Sequence, residues 1–282
     1  MNREATLSKY TKLWNLSDFE KIDYDSANII YKCISVEHGS CMLKIGDDSK
    51  EVGNQFNALR EYNGRRFCKA YQVDIDNEVL LIENIIPGTE LREEENLDKR
   101  LDLFCELFQG LHIKPADKSI YPTYMDWVRR ITEYMRGRDD YKLLYEKMAR
   151  AEEICQALCS KYSGEMLLHG DLHHDNILLG ENNQYKIIDP KGVVGDSVFD
   201  IPRFIINEFD DEIDDDLYKK FTYITMTLSK KLGVPEFDIR RLVYVEKCME
   251  SCWCVEDDEK PNMGEVLFAE RLMDGYEQEN NE

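Results

Sequence analysis

The stretch Leu167-Leu168-His169-Gly170-Asp171-Leu172-His173-His174-Asp175-Asn176-Ile177-Leu178-Leu179, followed by Ile187-Ile188-Asp189-Pro190, sets two carboxylates and a carboxamide in an order suited to phosphoryl transfer. A hydroxyl acceptor needs a carboxylate to orient it and take its proton, and Asp171 is the residue for that task. A nucleoside triphosphate arrives with magnesium, a hard cation that prefers oxygen ligands. Asn176 offers a neutral amide oxygen, and Asp189 offers a charged one at the end of the strand-like run Tyr185-Lys186-Ile187-Ile188. Gly180-Glu181-Asn182-Asn183 supplies a turn between two short strands. An isolated Asp and Asn at this spacing would recur in any acidic chain. The specificity lies in the surroundings: His169-Gly170 before the Asp, an apolar strand after the Asn, a turn, and a second strand ending on Asp189.

Protein kinases space an Asp and an Asn in the same way in their catalytic loop. The His-Gly-Asp in place of their His-Arg-Asp looks like the aminoglycoside phosphotransferase branch of that fold. The segment Ile188-Asp189-Pro190-Lys191-Gly192-Val193-Val194-Gly195-Asp196 closely resembles a hallmark of the streptomycin 6-phosphotransferase and hydroxyurea phosphotransferase family. The similarity continues through Phe199-Asp200-Ile201 and through Tyr121-Pro122-Thr123-Tyr124-Met125-Asp126-Trp127, and it covers nearly the whole chain. The resemblance implies an α+β, protein-kinase-like fold of two lobes. An N-lobe of residues 1–84 would hold a five-stranded antiparallel sheet and one helix, and a mostly helical C-lobe would run over 85–282, with an interlobe connector at 83–88. The implied cofactors are Mg2+ and ATP or GTP. The adenine would meet the Glu83 carbonyl and the Ile85 N–H, His169 would orient the loop, and Asp200 would accept backbone N–H bonds from the loop containing Asp171.

Several elements must position these groups. From Ile29 to Ile45 two strands flank His38-Gly39-Ser40, and the second places Lys44 among apolar neighbours, where it would reach the α- and β-phosphates. The preceding turn, Asp25-Ser26-Ala27-Asn28, lacks the glycines of a protein-kinase phosphate loop, so Ser26 and neighbouring N–H groups are the phosphate contacts expected there. Val52, Phe56 and Leu59 mark a helix over 50–62. In the family this helix gives Lys44 an acidic partner. The aligned position carries Gln55, which accepts a hydrogen bond but brings no charge, and Glu51, one turn earlier on the same face, is the acidic partner expected. Strands are expected over 70–75 and 78–83, and helices over 97–112, 125–135, 141–162, 214–232 and 238–255. Lys191 faces the phosphates, the acceptor or a surface salt-bridge partner.

A formal charge of −21, from 57 acidic and 36 basic residues, disfavours nucleic acid and anionic membrane surfaces and favours a cationic small-molecule acceptor, although such acidity also serves solubility alone. The acidic run over 208–216 reads as a solvated face or helix start, or with Glu250, Glu256 and Asp257 as lining for that acceptor. Neither a leader-like N-terminus nor a membrane-length apolar run is present, so a cytoplasmic location is expected. Nine cysteines without paired CxxC spacing read as reduced and mostly buried, and His169 and His173 read as loop residues rather than metal ligands. Oligomeric state has no sequence signal. A kinase of a cationic antibiotic, a kinase of a sugar or amino alcohol, and a non-catalytic nucleotide-binding protein all remain open, because family membership names a chemistry more securely than a substrate.

Overall fold

The computed structural model describes residues 3–22, 28–209 and 212–279. Contacts group the chain into two compact units, residues 1–93 with 175–192, and residues 94–174 with 193–282.

In the first unit, helix α1 (Arg3–Leu13) leads into strand β1 (Leu16–Ile22), followed by β2 (Ile29–Ser35), β3 (Gly39–Ile45), helix α2 (Ser49–Tyr62), β4 (Ala70–Asp74) and β5 (Val79–Glu83). The five strands form an antiparallel sheet in the order β1-β2-β3-β5-β4. Successive side chains of a strand point to opposite faces. Tyr31, Cys33, Cys41, Leu43, Val79 and Leu81 therefore share one face and pack with Tyr10 and Leu16 into a core. Ile30, Met42, Lys44, Leu80 and Ile82 share the other, with Lys44 registered between Ile30 and Leu80. α1 was not anticipated. Its sequence has weak amphipathic periodicity, and it is held by Tyr10, which is fully buried and donates from its hydroxyl to Asp74 at 2.9 Å.

Helix α2 begins where Asp48 accepts from the N–H groups of Lys50 and Glu51, satisfying donors that a helix start leaves free. It ends on Asn63 in the left-handed conformation. Val52, Gln55, Leu59 and Tyr62 form its buried face. A short strand β6 (Thr89–Glu90) pairs with β8 (Ile177–Leu179), which pairs in turn with β9 (Tyr185–Ile187). The Ile187 N–H donates to the Arg66 carbonyl at 2.8 Å, and the Cys68 N–H donates to the Ile187 carbonyl at 2.9 Å. These bonds explain why a hairpin so far along the sequence groups with residues 1–93, a discontinuity that a single boundary near Asn84 does not contain.

The second unit holds α3 (Leu97–Phe108), α4 (Tyr124–Arg136), α5 (Lys142–Lys161), α6 (Ile201–Ile206), α7 (Asp215–Leu232), α8 (Glu236–Glu256) and α9 (Met263–Glu279), with β7 (Met166–Leu168) paired to β10 (Val193–Gly195). α8 is buried on nearly every side and packs against α4, α5, α6, α7 and α9. α4 starts with a capping box in which Thr123 and Asp126 satisfy each other's backbone N–H groups. The helix expected over 97–112 stops at Phe108, because Gly110 takes a left-handed φ of 67° and turns the chain. All nine cysteines are free, and seven are buried. Among the described residues no helix is long and apolar enough to cross a membrane.

Candidate functional site

The first unit contains a cavity of about 320 Å³. Ile30, Met42 and Ile82 of the sheet and Leu178 and Ile188 of the hairpin give it apolar walls, while Lys44, Asn176 and Asp189 bring polar groups to it. Glu83, Asn84, Ile85, Pro87 and Gly88 complete the lining along the segment after β5. An apolar slot with few convergent polar groups is the usual form of a small-molecule site. Gly88 is required where the segment turns: its φ is 80°, and a Cβ there would lie 2.7 Å from the Ile85 carbonyl oxygen. Glu83 is tied down by its neighbours, with Lys186 donating to its carboxylate at 2.6 Å and the Lys69 N–H at 3.0 Å.

The hairpin register brings Asn176 and Asp189 to the same end of the β8–β9 pair. Ile177 pairs with Ile187, and the next N–H, that of Ile188, donates to the Asn176 carbonyl at 2.9 Å. Asp189 follows with a left-handed φ of 59°, a conformation that Asp tolerates better than most residues. Its Oδ1 accepts from Lys44 Nζ and from Gln55 Nε2, each at 2.5 Å, while Gln55 Oε1 accepts from the same Lys44 Nζ at 3.0 Å. Burial opposes the charge on Asp189, yet the Lys44 and Lys191 cations and the hydrogen bonds from Lys44 and Gln55 hold its carboxyl well below the usual range.

This triangle corrects the expected pairing of Lys44 with Glu51. Glu51 instead accepts from Lys191 at 2.6 Å, a partly exposed pair of small energetic worth. It also accounts for the glutamine. An amide accepts from Lys44 and donates to Asp189 at once, whereas a glutamate could only accept and would set a second carboxylate against Asp189. Replacing Gln55 by Leu should cost about 1–3 kcal/mol, the range for leaving buried polar groups without a partner. Gln55→Glu should lose a similar amount, and urea unfolding midpoints at neutral pH compare both variants with the parent. Equal midpoints for Gln55→Glu and the parent would show that the bond to Asp189 contributes nothing. Ser26 lies outside the described residues.

Asn176 and Asp189 supply oxygen donors suited to a hard cation, and the Lys44 ammonium already rests on Asp189 as a cation would. Among the described residues no cluster of three or more His, Cys, Asp or Glu side chains forms a self-sufficient metal cage. Magnesium bound beside nucleotide phosphates needs only one or two protein oxygens, so this donor set fits it.

In the second unit, the loop after β7 carries Asp171. Asp200 accepts from the N–H groups of His169 at 2.8 Å and Gly170 at 2.7 Å, and His112 Nε2 lies 2.8 Å from the same carboxylate. The buried His169 ring accepts from the Asp171 N–H at 3.0 Å. Gly170 has a φ of 80°, and a Cβ there would meet the Trp127 ring at 2.7 Å. The Asp171 side chain lies beside Arg203, whose Nε is 3.1 Å from its Oδ1, and 3.7 Å from His173 Nε2. Arg203 gave no signal in the sequence, since no spacing or motif ties it to Asp171.

Two carboxylates of α8 share that neighbourhood. Glu246 accepts from the Tyr124 hydroxyl at 2.5 Å and approaches Arg203 Nε at 3.3 Å; Glu250 lies 3.4 Å from Arg203 Nη1. Burial pushes the Glu246 carboxyl up to about 7, against the pull of Arg203 and Tyr124 and with Glu250 and Asp171 adding to it. The folded chain thus holds this proton more tightly than the unfolded chain. Its contribution to stability is complete below the ordinary value of 4.5 and is lost as pH rises through about 7, a loss on the order of 3 kcal/mol. Glu246→Gln should therefore gain stability over the parent between pH 5 and 8, as read by paired denaturation curves. A constant difference across that range would mean that Glu246 is ionised throughout. Three of the other acidic candidates are engaged elsewhere: Glu256 pairs with Arg130, Asp214 caps α7, and Glu208 is buried against Arg100 and His174. Asp210 and Asp211 lie outside the described residues; of the nominated acids among the described residues, it is Glu250 that contacts the Arg203 that meets Asp171.

A five-stranded antiparallel sheet with a polar-ended cavity, and a helical unit presenting an Asp-bearing loop, define a protein-kinase-like phosphotransferase. The chain belongs to the aminoglycoside/hydroxyurea antibiotic resistance kinase family, whose model matches residues 14–258. It is similar to streptomycin 6-kinase of Streptomyces glaucescens, with 21% identity over 260 residues that span 90% of this chain and 83% of that one. Its fold is that of choline kinase LicA from Streptococcus pneumoniae, with a TM-score of 0.70 at 13% identity, covering 97% of this chain and 99% of that one. It is also the fold of a thermostable mutant of aminoglycoside phosphotransferase APH(4)-Ia solved with AMP-PNP and hygromycin B, with a TM-score of 0.65 at 12% identity, covering 98% and 97%. The protein is a small-molecule kinase.

Proposed function

We propose that the protein transfers the γ-phosphoryl group of a magnesium-bound nucleoside triphosphate to a hydroxyl of a cationic, streptomycin-like aminoglycoside. The observation that carries this reading is the convergence of Lys44, Asn176 and Asp189 on one apolar-walled cavity. Adenine or guanine would lie between the sheet residues and Leu178 and Ile188, with the Glu83 carbonyl and Ile85 N–H as its backbone partners. Lys44 would turn from Asp189 to the phosphates, and Asn176 and Asp189 would hold the metal. When bound, magnesium neutralises charge on the phosphate oxygens. Asp171 orients the acceptor hydroxyl and receives its proton as the new P–O bond forms and the bond to the leaving diphosphate breaks. The chain's acidity supports a cationic acceptor.

The deciding experiment is coupled nucleotide turnover with magnesium, ATP and GTP in turn, against streptomycin, other aminoglycosides, hydroxyurea, sugars and amino alcohols. Turnover with an aminoglycoside that vanishes in Asp189→Ala is the expected result. Turnover only with a sugar or amino alcohol would transfer the same chemistry to a metabolite. Nucleotide binding without product from any acceptor would leave a binding protein.

A further inference from the structure

Asp200 and Arg203 stand three residues apart at the start of α6, so they lie on one side of a single turn. Asp200 holds the backbone of the catalytic loop through the N–H groups of His169 and Gly170. Arg203 reaches the side chain of the same loop, with Nε 3.1 Å from Asp171 Oδ1. Its guanidinium is fixed from the far side by Glu246 and Glu250, at 3.3 and 3.4 Å, and lies 5.3 Å from the centre of the Trp253 ring. Lys247 in turn contacts Glu250 and Glu265. Although Nε is buried, it makes no well-directed hydrogen bond; it faces two carboxylate oxygens and shares its charge between them.

We propose that Arg203 is the positioning residue of the base, a guanidinium that holds the Asp171 carboxylate by Oδ1. The inference deepens the kinase reading and rests on Asp171 being its base. The start of α6 then fixes the loop twice, by the His169 and Gly170 N–H groups through Asp200 and by the Asp171 carboxylate through Arg203. A guanidinium suits the task because it stays charged at every relevant pH and has a rigid planar fork, whereas a lysine ammonium is a point charge on a flexible stem. The carboxylates behind it, Glu246 and Glu250, hold the guanidinium from the opposite side, so it does not close bidentately on Asp171 alone.

The test needs no knowledge of the acceptor. Protein labelled with 13C at aspartate carboxyl carbons is titrated by NMR, with Asp171→Asn identifying the Asp171 signal. In Arg203→Met the Asp171 carboxyl should titrate at a pH higher by about one unit or more, the effect of removing an opposite charge within about 4–6 Å. Arg203→Lys should return it most of the way. An Asp171 signal that titrates identically in parent and Arg203→Met would overturn the proposal. Should Arg203→Met lose its dispersed spectrum, the folded comparison passes to Arg203→Gln, which keeps a polar stem without the charge, under the same criterion. With whichever acceptor turns over, kcat should fall about 10–100-fold in the neutral variants with the nucleotide KM unchanged, the pattern for a group that orients a base. If no acceptor turns over, the kinase reading fails on its own terms, and the carboxyl titration still decides the Arg203 contact.

Discussion

Turnover should fall by about 10²–10⁴ when Asp171 is replaced by alanine, the range for losing a positioned base, while nucleotide affinity stays at the parent level. The two halves of that expectation come from separate parts of the molecule. Asp171 lies on a loop of the second unit, held by Asp200 and His169, and is absent from the lining of the cavity that contains Lys44, Asn176 and Asp189. Where the loss falls within the range is itself informative. A loose, metaphosphate-like transition state asks little of a base until the new bond is well formed, so a loss near the lower end would assign Asp171 mainly to orientation. A loss near the upper end would require proton transfer to be well advanced at the transition state. Asp171→Asn separates the two, since the amide keeps the shape and can still meet the acceptor hydroxyl but cannot take its proton. Full turnover in Asp171→Ala, measured by coupled assay with the acceptor identified in the screen, would sink the assignment.

The fold class was legible through the family resemblance carried by residues 167–201, and local patterns marked its separate elements. β-branched and aromatic runs broken by short turns mark the sheet, and apolar positions at helical spacing mark most of the second unit. The hairpin that carries Asn176 and Asp189 was equally legible, since two short apolar runs flank one turn and a single register sets their relation. What escaped depends on distance in the chain. Glu51 and Gln55 sit one turn apart on the same helix, and no sequence rule tells which one meets a strand residue. The answer came from Asp189, which selects a side chain that both donates and accepts. Arg203 escaped for the same reason, its contact with Asp171 being made only when α6 packs against the loop. α1 was invisible because its weak amphipathicity is overridden by one buried tyrosine bound to Asp74.

Asp189→Ala should remove magnesium-dependent nucleotide turnover almost entirely, by about 10³ or more. Metal-assisted charge stabilisation contributes several kcal/mol to such reactions, and each 1.4 kcal/mol is about tenfold in rate. The variant should also be less stable. Lys44 is 5% exposed and would keep only the neutral Gln55 as a partner. Breaking a buried pair from one side costs about 3–5 kcal/mol, and the partial exposure of Asp189 places the expected loss at the lower end. The sign with pH follows from the same contacts. The carboxyl is held below its ordinary range, so its contribution is present above that range and is lost only as acid lowers the pH through the depressed folded value. Turnover lost on acidification near neutral pH therefore has another origin. Calorimetric titration of ATP with and without magnesium isolates the metal's share. In the parent, magnesium should tighten binding; in Asp189→Ala the two isotherms should coincide, and in Lys44→Ala both should weaken together because the phosphates lose their cation. If magnesium still tightened ATP binding in Asp189→Ala, the metal would be held elsewhere and the Lys44, Gln55 and Asp189 triangle would be a structural lock rather than the resting form of a catalytic site.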